Sequence, residues 1–305
     1  MGADNFLVTG QAVEDVTTKL LQLAVTELPQ DVKEALRWAY QQEQDFVGKS
    51  QLKVILDNLE LAEKMCTPIC QDTGFIIYYV KAGSKLEGLD QIEDALRNAT
   101  IKATKEVPLR PNAVDPFSQS NSGNNTGKHS PYIHWEIVPG NTLEITVLPK
   151  GGGSENVSIL KMLNPSEGIA GLKKIVIDTV IKAGAKPCPP TILGIGIGGG
   201  ADIAINLAKE SLLLPLNQSN PDPKVAKLEK ELLEIANKTG IGPMGLGGKT
   251  TVLAVKIAYA HRHPASFPVA IVAQCWAARR ASAKIYSDGK IEYISHKVNS
   301  KHDCL

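Results

Sequence analysis

Beyond Ser154 helix-type and strand-type segments take turns, and this alternation constrains the fold more than any other feature of the chain. Such alternation builds α/β layers rather than a helical bundle or a β-sandwich. Residues 167–183 read as a helix. Cys188-Pro189-Pro190 then leads into the short strand TILGIGI, and GGGADIAINLAKESLL reads as the next helix. Residues 221–238 carry a charged amphipathic helix. IGPMGLGGKTT is a Gly-rich loop before a segment that suits strand or helix. FPVAIVAQCWAARR is a strong strand ending at Cys275, and KIYSDGKIEYIS is a hairpin signal around Asp288-Gly289.

Ahead of this region the texture differs. Val13, Val16, Leu20, Leu21 and Ala24 recur at helical spacing over residues 11–28. Pro29 interrupts that pattern and Asp31 caps a second helix, which presents Val32, Ala35, Leu36 and Ala39. Ser50 is placed to cap a third. FIIYYVKAG is β-branched and aromatic enough to be a strand, and residues 91–107 form a helix that stops at Pro108. The polar stretch LRPNAVDPFSQSNSGNNTGKHSP has the composition of a linker. Two strands follow it, with a Gly-rich turn at KGGGSEN. The expectation is a mixed α/β chain forming one domain over residues 1–305. Its helical N-terminal layer covers about 1–66 and its α/β body about 67–298.

Composition excludes several classes. The formal net charge is +1 and aromatics are 5% of the chain, which gives no basis for a nucleic-acid surface or attraction to an anionic membrane. The N-terminal residues lack the basic and apolar regions of a secretory signal, and they match a myristoylation site poorly. No apolar run is long enough to span a bilayer. The expected location is the cytoplasm. There an odd set of five cysteines, Cys66, Cys70, Cys188, Cys275 and Cys304, is not a disulfide framework.

Three of these cysteines sit beside backbone-shaping residues. Cys70 lies between Pro68 and Gly74, Cys188 between Pro187 and Pro189-Pro190, and Cys275 at a strand end. Thiols in rigid turns suit cluster ligation, although on spacing alone, without a C-x-x-C pair, unrelated buried thiols are the default reading and a cluster the minority one. Cys66 and Cys304 have no such setting. Gln71 and Asp72 follow Cys70, Arg110 precedes Pro111, and His263 stands in HRHP. GIGIGG from Gly194 fits G-x-G-x-x-G and opens a nicotinamide-dependent reading, but no acidic residue ends a second strand at the required distance. GPMGLGGKTT fails as a P-loop, because its leading Gly would have to stand at Pro243.

The segments PICQDTG, PLRPNAV, NTGKHSPYIHW, KGGGSEN, CPPTILGIGIGG, GPMGLGGKTT, HRHP and QCWAARR occur in this order. Together they resemble the α subunit of class I (iron–sulfur) fumarate hydratase, a pattern shared by the L-tartrate dehydratase α subunit. The resemblance runs from about residue 50 to 280. It implies a [4Fe–4S] cluster held by Cys70, Cys188 and Cys275, and a substrate pocket that includes Gln71, Arg110 and Gly153. It implies Asp72 as proton donor or relay with His263 beside it tuning its charge, a base on the β chain, and a small dicarboxylate such as fumarate or L-malate as reactant, with tartrate as the alternative. Single-chain members of the family continue into a second catalytic domain. Here the chain ends at Leu305, so a separate β subunit and an αβ hetero-oligomer are expected.

Overall fold

The computed structural model describes residues 9–298. The N-terminal segment read above as lacking a targeting signal, and Cys304, lie outside them. The fold is mixed α/β and divides into two compact units. The first comprises the described parts of Met1–Gln30, Leu59–Lys150 and Arg279–Leu305. The second comprises Asp31–Asn58 and Gly151–Ala278.

The first unit is a five-stranded sheet with two helices on one face. Its strands are β1 (Phe75–Gly83), β2 (Tyr132–Val138), β3 (Leu143–Lys150), β8 (Ala281–Ile285) and β9 (Ile291–Tyr293), in the order β2-β1-β3-β8-β9. The two strands read from YIHWEIVPGNTLEITVLPK do not pair with each other. Strand β2 lies parallel to β1, while β3 runs antiparallel on the other side. Alternate residues of β1, namely Ile76, Tyr78 and Val80, meet Ile145 and Val147 of β3 in one buried cluster. Helices α1 (Gly10–Thr26) and α4 (Ile92–Glu106) cover that cluster with Val13, Leu20, Leu21, Ala95 and Leu96. Thr9 caps α1, its hydroxyl accepting the Ala12 N–H at 3.2 Å. The buried Tyr78 hydroxyl bonds Thr100 at 2.8 Å, and burial pushes its acidity far below that of a free phenol.

The second unit is a four-stranded sheet with helices on both faces. Its strands are β4 (Ile159–Leu163), β5 (Thr191–Gly199), β6 (Val252–Arg262) and β7 (Phe267–Gln274), in the order β4-β7-β5-β6. Helices α6 (Gly168–Ala183) and α8 (Pro223–Asn237) bury Leu172, Val176, Leu232 and Ala236 against Leu193, Ile195, Val269 and Ile271. Helix α7 (Ala201–Ser211) packs against β5 and β7. The GIGIGG motif makes that close approach possible. A Cβ on Gly194 would stand 2.1 Å from the Ala208 carbonyl oxygen, and one on Gly196 would stand 1.9 Å from that of Ala204. Both glycines lie inside the strand, so they serve helix–strand packing and not a phosphate-binding turn.

Helices α2 (Gln30–Gln42) and α3 (Phe46–Met65) carry the chain through positions 30/31 and 58/59, where it changes unit. Ser50 is not the cap of α3. It lies within the helix, and its hydroxyl back-bonds the Phe46 carbonyl at 2.8 Å. Strand β4 is an edge strand that composition alone did not announce. The polar stretch after α4 is held by short-range bonds: Asp115 accepts the N–H groups of Phe117 and Ser118, and bridges join Val114 to Asn121 and Gly127 to Ser130. Among the described residues no helix is long and apolar enough to cross a membrane.

Candidate active site

In the first unit, the turn before β1 carries Cys70, Gln71 and Asp72. Cys70 and Asp72 are half-buried and Gln71 is exposed. Asp72 Oδ1 accepts the Gly74 N–H at 3.0 Å, which closes the turn. Gly74 needs its missing side chain, because at φ +91° a Cβ would stand 2.5 Å from the Pro149 carbonyl carbon. The buried Arg279 guanidinium donates to the Asp72 carbonyl from below.

The same turn fixes Arg110. Thr73 Oγ1 accepts the Arg110 N–H at 3.0 Å, and the Asn125 side-chain amide donates to the Arg110 carbonyl at 3.2 Å. Asn125 Oδ1 accepts the Asn112 N–H at 2.6 Å, and the Asn112 amide returns to the Gly74 carbonyl at 3.0 Å. A closed set of backbone contacts therefore brings Gln71, Asp72 and Arg110 into one neighbourhood, with the Arg110 residue exposed above it. Thr73, Asn112 and Asn125 were not singled out by the sequence. Their signal was membership of PICQDTG, PLRPNAV and NTGKHSPYIHW, which carry the resemblance.

In the second unit, Cys188 and Cys275 come together. Cys188 is exposed, adopts φ +53°, and precedes a cis Pro189-Pro190 bond. Its carbonyl accepts the N–H of Trp276 at 3.2 Å, one residue beyond the half-buried Cys275. Strand pairing explains the meeting: Ile192 at the start of β5 faces Gln274 at the end of β7. The Gly-rich turn that opens α5 (Gly152–Glu155) belongs to the same region. Gly153 is exposed, and a Cβ there would lie 3.3 Å from the Lys186 carbonyl oxygen, two residues before Cys188.

His263 is placed elsewhere in this unit. It follows β6 and precedes β7, so it occupies the opposite sheet end from Cys275. Eight strand residues at about 3.3 Å each separate the two, roughly 25 Å. His263 Nδ1 accepts the Ala265 N–H at 3.1 Å, a local turn contact. The cleft of about 760 Å³ between β4 and α6 holds none of the sequence-derived candidates.

Cys70, Cys188 and Cys275 are outside any disulfide, and thiols are the soft donors that iron–sulfur clusters take. Cys188 and Cys275 stand in backbone that packing has already fixed. Immediately before Cys275, Gln274 is buried, and neither atom of its amide has a hydrogen-bond partner. An acceptor such as a cluster sulfide beside Cys275 would satisfy the N–H side of that amide. Among the described residues no three His, Cys, Asp or Glu side chains gather as a single-ion site. A cubane is larger than one ion and takes its thiolates from farther apart. The donor chemistry fits the cluster.

Comparison with known proteins bears directly on these residues. The family model for fumarate hydratase (Fumerase) matches residues 14–284. A protein of Methanocaldococcus jannaschii, provisionally named L(+)-tartrate dehydratase subunit alpha, is 47% identical over 92% of this chain and 99% of its own length. The L(+)-tartrate dehydratase subunit alpha of Escherichia coli strain UTI89 is 37% identical over 92% of this chain and 93% of its own. The strain K12 protein of that name is 36% identical over the same shares. With a match across most of its length and relatives this similar, the chain belongs to the fumarate hydratase (Fumerase) family of hydro-lyases.

Proposed function

We propose that this chain is the cluster-carrying α subunit of a hydro-lyase interconverting fumarate and L-malate, with Cys70, Cys188 and Cys275 holding a [4Fe–4S] cluster. One observation carries the reading. Two cysteines far apart in sequence are tied together by the Trp276 N–H on the Cys188 carbonyl, at one end of a rigid sheet. When bound, the cluster supplies an iron without a protein ligand, a Lewis acid toward a hydroxyl and its neighbouring carboxylate.

The chain's own groups do the rest. Arg110 pairs a reactant carboxylate, and its planar fork allows two parallel bonds where Lys would give one. Because its backbone is fixed on both sides by Thr73 and Asn125, less order is lost on binding. The Gln71 amide, exposed beside it, bonds a carboxylate or hydroxyl oxygen. Gly153 leaves room for the reactant to approach backbone. Asp72 holds the proton exchanged with the departing or entering hydroxyl. The family resemblance pairs His263 with Asp72. A reactant held at Cys188 and Cys275 lies about a strand's length from His263, so that pairing requires the β6–β7 turn of another copy in the assembly.

The names of the relatives support a separate partner subunit, which we expect to complete the site and supply the base for the carbon-bound proton. Cys66 is disulfide-bonded, against the expectation that the five cysteines form no disulfide. A second reading, L(+)-tartrate dehydration, is favoured by those same names. One experiment tests both. The two chains are co-purified without oxygen, iron and sulfide are measured, and malate, fumarate and tartrate are assayed in parallel. Malate–fumarate turnover supports the first reading, preferred tartrate turnover the second. A complex active without iron or sulfide overturns both.

A further inference from the structure

A buried carboxylate far from every site residue in sequence reaches the Cys188 turn through a chain of hydrogen bonds. Glu43 lies in the corner between α2 and α3 and is 2% exposed. Its Oε1 accepts the N–H groups of Gln44 at 3.0 Å and Asp45 at 3.1 Å. Its Oε2 accepts the Lys249 N–H at 2.8 Å and the Thr250 N–H at 3.4 Å. Four backbone donors on one carboxylate need both oxygens to act as acceptors, which no neutral side chain of that size provides.

The anchored segment is the end of the Gly-rich loop that failed as a P-loop. Gly48 of α3 fits beneath it, where a Cβ would stand 3.0 Å from the Gly247 carbonyl oxygen. The loop in turn grips the segment around Cys188 at three points. The Met244 N–H donates to the Pro189 carbonyl at 2.7 Å, and the Thr191 N–H donates to the Thr251 carbonyl at 2.9 Å. Gly245 lies against Ala185, where a Cβ would come within 2.3 Å of the alanine side chain. Cys188 itself holds φ +53°, a conformation that local preference disfavours and surrounding contacts must impose.

We propose that Glu43 is a positioning residue: through the 242–251 loop it holds the backbone that presents the Cys188 thiol. The proposal deepens the cluster reading above, since the value of a fixed Cys188 lies in its service as a ligand. Glu43→Gln keeps the size but leaves two buried N–H groups facing an NH₂. The loop then loosens and Cys188 leaves its presented conformation more often.

The test follows individual thiols by mass spectrometry in the αβ complex stripped of metal. Iodoacetamide labelling of Cys188 is expected to rise at least fivefold in Glu43→Gln, with Cys70 and Cys275 labelling at parental rates. Hydrogen exchange at Met244, Lys249 and Thr250 should quicken alongside it. In the anaerobic holo complex, a chelator should remove iron correspondingly faster. An unchanged Cys188 rate overturns the proposal, and so does equal acceleration of all three thiols, which marks general loosening. If Glu43→Gln does not fold, Gly48→Ala pushes on the same loop from α3 with its charge intact, and the same selective rise is required. A parental complex without iron removes the cluster reading, while the labelling arm still decides whether Glu43 governs Cys188.

Discussion

Asp72 and Arg110 share one backbone scaffold, and that arrangement separates the effects of changing them. Asp72→Asn retains the Oδ1 acceptor for Gly74 and therefore the turn. We expect kcat to fall by about 10²–10⁴-fold with iron and sulfide unchanged, measured in the anaerobic αβ complex. Undiminished turnover would remove Asp72 from the scheme. Asn125→Ala acts differently, because it withdraws the bond to the Arg110 carbonyl and the one from the Asn112 N–H two residues on. KM should rise more than kcat falls. Gln274 offers a further test at this scale. Its buried amide has neither a donor nor an acceptor as partner, so an apolar side chain of similar shape removes two unmet demands. Gln274→Met is expected to stabilise the metal-free protein by about 1 kcal/mol in urea denaturation. A loss of stability instead would mean that a bound water already serves the amide. The sequence showed Cys70, Cys188, Cys275, Asp72 and Arg110 as residues in stiff or punctuated segments. It could not show Asn125, Gln274 or Glu43, because each matters through a partner between 13 and 206 residues away or, for Gln274, through the lack of one.

Elements were most legible where periodicity was long and punctuation sharp. The helix read over 167–183 is α6, and the run after His263-Pro264 is β7. The GIGIGG motif was legible as a pattern yet ambiguous in meaning, since spacing alone does not distinguish a turn that meets phosphate from a strand that meets a helix. Gly196→Ala addresses that meaning. A methyl group 1.9 Å from the Ala204 carbonyl would force α7 off the sheet. Destabilisation of about 1–3 kcal/mol, or failure to fold, is expected from chemical denaturation. The charged helix α8 carries its own pH signature. Asp222 caps it by accepting the Lys224 N–H at 2.8 Å, and this bond chiefly holds its carboxyl below the ordinary carboxylate range, against desolvation and with help from the Tyr259 hydroxyl. A depressed folded-state pKa stabilises above the unfolded value, near 3.9, and is lost as pH falls through the folded one. Asp222→Asn should therefore melt earlier than the parent near neutrality, and the gap should close as pH falls below about 3.9.

For the molecule as a whole, composition excluded more than it assigned. Under the proposed function, a net charge of +1 leaves the attraction of a dicarboxylate to local groups such as Arg110. The mixed α/β class was legible, whereas strand order was not. Strand β2 joins β1 in parallel across the long polar segment, and β8 returns from the far end of the chain to pair with β3. Pairings of that range depend on total burial and not on any local signal. At this scale we expect the chain alone, reconstituted without oxygen, to bind iron but to show no detectable turnover. Activity should appear on adding the partner subunit, as a titration of one against the other would measure.

Neither compact unit is a continuous stretch of chain; the polypeptide passes between them at 30/31, 58/59, 150/151 and 278/279. Trimming either terminus at one of these points never isolates a finished half. A gene fragment ending at any of them encodes at least one unit with a missing piece. During synthesis the first sheet waits for β8 (Ala281–Ile285), the strand that completes its fourth position, long after β1, β2 and β3 have been made. Recombination that splits such a chain at 150/151 or 278/279 leaves a sheet unfinished.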